Sequence, residues 1–589
     1  MTPQSHAKPA VLSLEVLSQS SSDDENQPTQ FQTLVRHFLD RFFNNELMSS
    51  DGEAKARLVQ MACVVGLPGF IMALYLYGPY HPPRGARSYW AQAGDHYFYV
   101  LYSFVACGIL TLFAWDFFFP DLLDALVIST LPVQREKLMR ARITAMLILI
   151  AGFLIDSNFL APLVLPAATD PAHLIRFLFA HVIATAMSGI FGAAFFLALQ
   201  GILLAVLGDR VFRKISLWVQ GISVTVLLTI LFLYPVVFPR LQFIVASAPA
   251  LLRYLPPLWF AGMYERLLSG GSALPVFSEL ARFAWVATLL MLACAVLAYP
   301  LAYWRRTRGL VEGSAAAAHH PQNRTGSVLH ATVLRTPAAR AIWHFIGQTI
   351  LGVTRCYVYL ALYGGTGAAL VFSVALRASI GTGHLQFTLN PDGLRAAVPI
   401  TAFWAVSGLR TILGSPAEQK TTWVFRTIHG KAGQEHLDAA KRWVLFWALV
   451  LSMGVAISIC LLMRSSGSHL RFRLDQLLVA GSLCALLTDI FFLNSKTIPF
   501  NYKEPSTTTN LVFLLIPYVG FFPVLVLCTV SLEPWIEAST SHLIFTTIAA
   551  LGTHLGLEVA YRRRIAAYIA HPSLNDEEEE FPLKLGLKY

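Results

Sequence analysis

The sequence predicts an all-α, polytopic membrane protein with about twelve transmembrane helices in two pseudo-equivalent six-helix halves. Three observations predict it. Hydrophobic residues make up 55% of the 589 positions and charged residues 13%, whereas a soluble chain this long needs several charged domain surfaces. The apolar residues gather in runs of about twenty, the length that crosses a hydrocarbon layer about 30 Å thick as a helix. The third observation is a repeat. An amphipathic segment, two apolar runs, a polar loop with Pro and charge, and four more apolar runs occur in that order twice. Lipid offers the backbone no hydrogen bonds, so the runs must be helical, and they are too long and too uniformly apolar for barrel strands.

Residues 1–30 come first, and the SQSSSDDENQPTQ stretch within them reads as disordered. The short apolar piece Val11–Val16 is too small for a signal-peptide core. The first half is expected over 31–304. In Phe31–Leu47, the residues Phe31, Leu34, Val35, Phe38, Leu39, Phe42 and Phe43 fall on one helical stripe, opposite Arg36, Asp40 and Asn44. Such a helix either lies in the membrane interface or packs on the cytoplasmic surface. Spans follow near 59–78, 97–117, 143–165, 176–206, 216–238 and 282–304. The segment 239–281 between the last two is too apolar for a free loop. It reads as a short re-entrant or interfacial helix pair, with Trp259 and Tyr264 at headgroup depth. Residues 305–337 gain Gly, Ala, Ser and charge, the composition of a linker. A second amphipathic helix, with Ile342, Phe345, Ile346, Ile350 and Val353 aligned, opens the second half at 338–561. Its spans fall near 356–376, 397–413, 443–463, 476–494, 511–530 and 541–560, and an acidic tail occupies 562–589.

Net charge is +10, and in a membrane protein the side that holds it is the informative quantity. With a cytoplasmic N-terminus, the clusters Arg210, Arg213 and Lys214, then Arg305, Arg306 and Arg308, then Arg562, Arg563 and Arg564 all fall inside. The positive-inside rule therefore predicts cytoplasmic N- and C-termini in a multi-pass cell-membrane protein, with a bacterial cytoplasmic membrane expected. Nucleic acid is not an expected partner; the lipid bilayer is. All seven cysteines lie within predicted spans, as small packing residues and not as a disulfide or metal framework. Gly364-Gly365-Thr366-Gly367 and Ser188–Gly192 lie in apolar spans and read as points of close helix approach.

The loop after the second span runs Phe119-Pro120-Asp121-Leu122-Leu123-Asp124 and on through Pro132, Gln134, Arg135, Leu138 and Ala141 to Arg142. Here the chain resembles the permeases of ABC-2 type transporters. Asp121 stands at that family's acidic position, Pro132 at its Pro, Arg135 at its Arg and Leu138 at its Leu. Ala141-Arg142 replaces Gly-Lys, Leu123-Asp124 replaces Gly-Thr, and Gln134 replaces Ser. In the second half Pro416 echoes Pro120, and Leu437-Asp-Ala-Ala440-Lys441 echoes Leu138–Arg142. The resemblance implies two fused half-permeases that export or extrude a lipid-like, drug-like or polymeric substrate. It further implies that Asp121, Asp124, Pro132, Arg135, Leu138, Arg142, Pro416, Leu437 and Lys441 belong to loops touching a separate ABC-type ATPase subunit. The chain has no G-x-x-x-x-G-K-[ST], so no P-loop hydrolysis is expected in it, and no catalytic residue, metal or cofactor is assigned.

Ionisable residues at membrane depth mark either a pathway or inter-helix pairing. Asp156 lies in the third span beside Ser157 and Asn158, with His181 of the fourth as a possible partner. Asp489 and Glu558 lie nearer the inside, within range of Arg410 or Arg562. An ion-coupled carrier would use Asp156 and His181. A membrane enzyme acting on lipid-linked substrates would use the exterior loop with His81, Asp95 and His96, together with the 239–281 segment.

Overall fold

The computed structural model describes residues 29–43, 54–80, 87–115, 117–120, 124, 132–158, 173–247, 249–312, 336–381, 384–414, 434–463, 470–493 and 517–570. Residues 1–28, most of the linker and 571–589 lie outside them, as do His81, Asp121 and Pro416, whereas 562–570 of the expected acidic tail continue the last helix. Among the described residues, eleven helices are long and apolar enough to cross a membrane. The multi-pass helical class is therefore borne out, and the first predicted span corresponds to the helix Ala54–Tyr80.

The first half begins with α1 (Gln30–Phe43), α2 (Ala54–Tyr80), α3 (Tyr89–Phe113) and α4 (Arg135–Asn158). Thr29 and Gln32 start α1 by reciprocal capping, with Gln32 N donating to Thr29 Oγ1 and Thr29 N to Gln32 Oε1. The fourth and fifth spans are the two arms of α5 (Leu174–Phe232), broken at Gly208 with φ 72°. That backbone favours glycine because a Cβ is strained there. Short helices over 234–247 and 249–254 lead to α6 (Pro256–Ser269), which packs against α7 (Pro275–Glu312). A Cβ at Gly262 would come within 2.5 Å of Leu280 Cβ, so glycine lets α6 lie directly on α7. The last of these helices runs eight residues beyond the predicted end of the half, carrying Arg305, Arg306 and Arg308 on helix and not on linker.

The second half comprises α8 (Pro337–Gly352), α9 (Thr354–Ala375), α10 (Pro391–Gly414), α11 (Gln434–Leu462), α12 (Leu470–Phe492), α13 (Phe522–Ala538) and α14 (Thr540–Ala570). Thr336 caps α8 by accepting from Ala339 N at 3.3 Å, ahead of Pro337 in the first turn. Between α9 and α10 lies an antiparallel hairpin, β1 (Leu376–Gly381) with β2 (His384–Leu389), in the register Leu376 to Leu389. The span pattern gave no sign of this hairpin, because its alternation covers only six residues a side.

Each half has its own core. One is built from residues between Leu76 and Tyr303, with Ala369 of α9 added; the other from residues between Ala339 and Ile565. They meet where α9 packs on α5, with Gly365 against Val224 and Thr225. Large apolar side chains such as Val286, Leu289, Leu290, Val296 and Leu297 point outward from α7. Water would disfavour such a surface, whereas hydrocarbon accepts it.

The repeat is visible in the packing. The amphipathic helix α1 rests on α4, and its counterpart α8 rests on α11. Phe38 packs over Leu138, Ala141 and Ala145 in the first pair, as Ile342 and Ile346 join Leu437, Ala440 and Trp443 in the second. Both amphipathic helices therefore bury the centre of their apolar stripes against protein, while Phe31 at the start of α1 is exposed.

Candidate functional site

Two polar assemblies lie at the end of the bundle that carries α1 and α8. In the first half Asp124 accepts from Arg41 on one carboxylate oxygen and from Arg142 on the other. Asp124 and Arg142 are both buried, and the Arg142 guanidinium sits 4.5 Å from the Phe38 ring centre. The charged pair and the cation–π contact tie α1, α4 and residue 124 together. In the second half Lys441 of α11 places Nζ 2.8 Å from Asp489 of α12 and 2.6 Å from Glu558 of α14. It also lies 4.4 Å from the Tyr561 ring. His554 contacts the other oxygen of Asp489, and Arg562 Nε lies 2.8 Å from Glu558. Arg142 and Lys441 are thus equivalent in three respects. Each follows a fully buried Ala, each lies beside the docked amphipathic helix, and each is a buried base held by carboxylate and aromatic ring.

A different assembly occupies the opposite end of the first half. Asp95 takes Arg87 in a bidentate pair, at 2.6 and 2.8 Å, and accepts from the Tyr80 hydroxyl at 2.8 Å. Its hydrogen bond holds the Arg87 guanidinium charged above its ordinary range, against the opposing effect of burial. One residue on, His96 Nδ1 lies 2.7 Å from Glu265 of α6, and its ring stacks on Tyr264 with centres 4.2 Å apart. Tyr264 in turn reaches His181 Nδ1 of α5 at 2.9 Å. Asp95, His96, His181, Tyr264 and Glu265 are all buried. Burial, then the Glu265 charge, push the Tyr264 phenol well above its usual range, so it stays protonated beside His181 Nδ1. The Nε2 atoms of His96 and His181 have no hydrogen-bond partner among the described residues, which leaves one free nitrogen on each imidazole of a buried pair. Such a pair can take up or pass on a proton.

The sequence-predicted residues therefore separate. Leu138, Arg142, Leu437 and Lys441 face into protein, Asp124 likewise, while Pro132 and Arg135 are exposed. Asp489 and Glu558, expected as separate pathway charges, share Lys441 with each other, and the expected Arg562–Glu558 pair is present. His181 bonds Tyr264 and not Asp156. Asp156 is half-buried, facing the Gly66 region of α2, with Oδ2 unpartnered among the described residues. Tyr264, expected at headgroup depth, is enclosed within the protein. Glu265 was missed, since 169 positions separate it from His96 and no periodicity connects them. Asp475 and Glu533 were missed because the expected spans 476–494 and 511–530 stopped just short of both. In comparisons with known proteins, the chain matches no family model, no curated protein and no solved structure.

Proposed function

We propose that this integral membrane protein is a permease of the ABC-2 type, moving a substrate across or out of the membrane with energy from a separate ATPase subunit. The observation that carries the reading is the equivalence of Arg142 and Lys441, which extends the sequence echo of Leu138–Arg142 in Leu437–Lys441 to packing and charge. Two half-permeases fused in one chain account for it. On this reading α1 and α8 lie on the cytoplasmic side of the cell membrane. Arg142 and Lys441 then act as positioning residues that fix the third and ninth spans to those helices. The surface offered to the ATPase falls to exposed Pro132, Arg135 and the loops beside them. A short helical connector held between two spans can pass a partner's movement into both. Pull-down from native membranes, followed by nucleotide hydrolysis, tests the proposal. An ATPase should co-purify, and Arg135→Ala or Pro132→Ala should weaken the association with the fold intact. Absence of any ATPase, with both variants fully functional, overturns it.

A second reading is favoured by one observation: the two exterior segments expected of a membrane enzyme acting on lipid-linked substrates meet at His96 and Glu265. In that case His96→Gln and Glu265→Gln would each abolish turnover in a folded protein.

A further inference from the structure

At the end of the second half opposite α8, three acidic side chains converge. Asp475 lies in the second turn of α12, and Glu533 and Glu537 lie one helical turn apart on α13, hence on one face. One carboxylate oxygen from each lies within 4.8 Å of the others. Asp475 and Glu533 are fully enclosed; Glu537, with 21% of its side chain accessible, opens toward solvent. Arg395 of α10 is the basic partner, with Nη2 3.1 Å from Glu537 and Nε 3.8 Å from Glu533. It also lies 3.8 Å from exposed Asp392. Gln476 donates to Glu533 Oε2 at 2.9 Å.

One guanidinium does not balance this group. Among the described residues, neither oxygen of Asp475 has a hydrogen-bond donor, nor does Glu533 Oε1, although all three atoms are buried. A buried carboxylate with no donor and no counter-charge is among the least favourable arrangements a fold can hold. The Gln476 carbonyl oxygen is a further buried acceptor without a donor. Every orphan here is an acceptor, so what is missing is a donor or a cation.

We propose that Asp475, Glu533 and Glu537 form a binding site for a hard divalent cation, with Ca²⁺ the best match. Oxygen-only ligands exclude soft metals, and Ca²⁺, held at about 2.4 Å, accepts several carboxylates in a flexible shell. Mg²⁺ holds its ligands closer, at about 2.1 Å, and is usually bound by only one or two carboxylates plus water. Glu537 and Arg395 at the rim provide the entry. The site crosslinks α12 to α13 and is independent of the permease reading.

The test uses the full chain in lipid nanodiscs after EDTA treatment. Calorimetric titration with Ca²⁺ should show one saturable site, and excess Ca²⁺ should raise the melting temperature by roughly 2–4 °C. Asp475→Asn should weaken binding at least about tenfold and, in EDTA, melt higher than wild type, because the uncompensated charge is gone. Glu537→Gln, at the half-exposed rim, should weaken binding several-fold in a protein that folds normally. Lack of saturable uptake up to about 1 mM Ca²⁺ overturns the proposal, as does wild-type affinity in both variants. A melting temperature that rises on mild acidification but not with Ca²⁺ also overturns it, by assigning the missing positive group to protons.

Discussion

The two ends of the bundle treat the internal repeat differently. At the end carrying α1 and α8, both halves present a buried base beside a docked amphipathic helix, in the same place on the third and ninth spans. At the other end the first half holds the His96–Glu265–Tyr264–His181 chain. The second half holds the Asp475–Glu533–Glu537 group with Arg395. Helix docking occurs in both halves, while the side chains gathered at the far end differ. Even the matched pairs are wired in opposite senses. In the first half one carboxylate serves two arginines; in the second, two carboxylates serve one lysine.

That inversion can be broken directly. Asp124→Asn leaves Arg142 buried without a counter-charge and should lower stability by about 3–5 kcal/mol. Asp489→Asn leaves Lys441 paired with Glu558, so the loss should be about 1–2 kcal/mol. The order should reverse for the bases: Lys441→Met takes the shared partner from two acids, leaving Asp489 with His554 and Glu558 with the exposed Arg562, whereas Arg142→Met affects one acid and leaves Asp124 with Arg41. Equilibrium unfolding in mixed detergent measures all four, and equal losses within each pair would refute the inverted wiring.

The packing around the fourth and tenth spans sharpens the contrast at the next scale. A Cβ at Gly189 would stand 2.4 Å from Leu154 Cδ1 and 2.9 Å from Cys107 Sγ, and at Gly192 it would stand 2.8 Å from the Phe104 carbonyl oxygen. Gly192→Ala should cost about 1–3 kcal/mol, because backbone cannot give way as a side chain does. Gly481→Ala on α12 meets only the flexible Met453 Cε at 3.3 Å and should cost under about 1 kcal/mol in the same unfolding assay. The smallest stability effect belongs to Arg135→Ala. This exposed residue should shift stability by less than about 0.5 kcal/mol, so any loss of ATPase association in that variant reports on the contact itself.

Much of the fold was legible in the sequence. Each described span overlaps an apolar run, closely for Cys356–Ala375 against an expected 356–376, while others such as Tyr89–Phe113 against 97–117 start or end up to eight residues away. Phe38 and Ile346 sit buried where the stripes of α1 and α8 placed them. The sites were less legible. Arg142 and Lys441 were marked as equivalent by their neighbours Ala141 and Ala440, yet as members of partner-facing loops. Nothing local showed that both turn inward. Asp95 and His96 were noticed only as scattered loop residues, and the acids of α12 and α13 were not noticed at all.

By itself, the sequence determined the class, the spans, the two amphipathic helices and the repeat. Each of these follows from hydropathy over about twenty residues or a 3.6-residue period, both local properties of the chain. Tertiary structure alone decided which charges meet. Asp489 and Glu558 share Lys441 because three helices converge, and His96 finds Glu265 because α6 packs against α3 as well as α7. A charge in a buried site depends on whatever lies within a few ångströms of it. For these residues those neighbours lie tens to more than a hundred positions away in the chain.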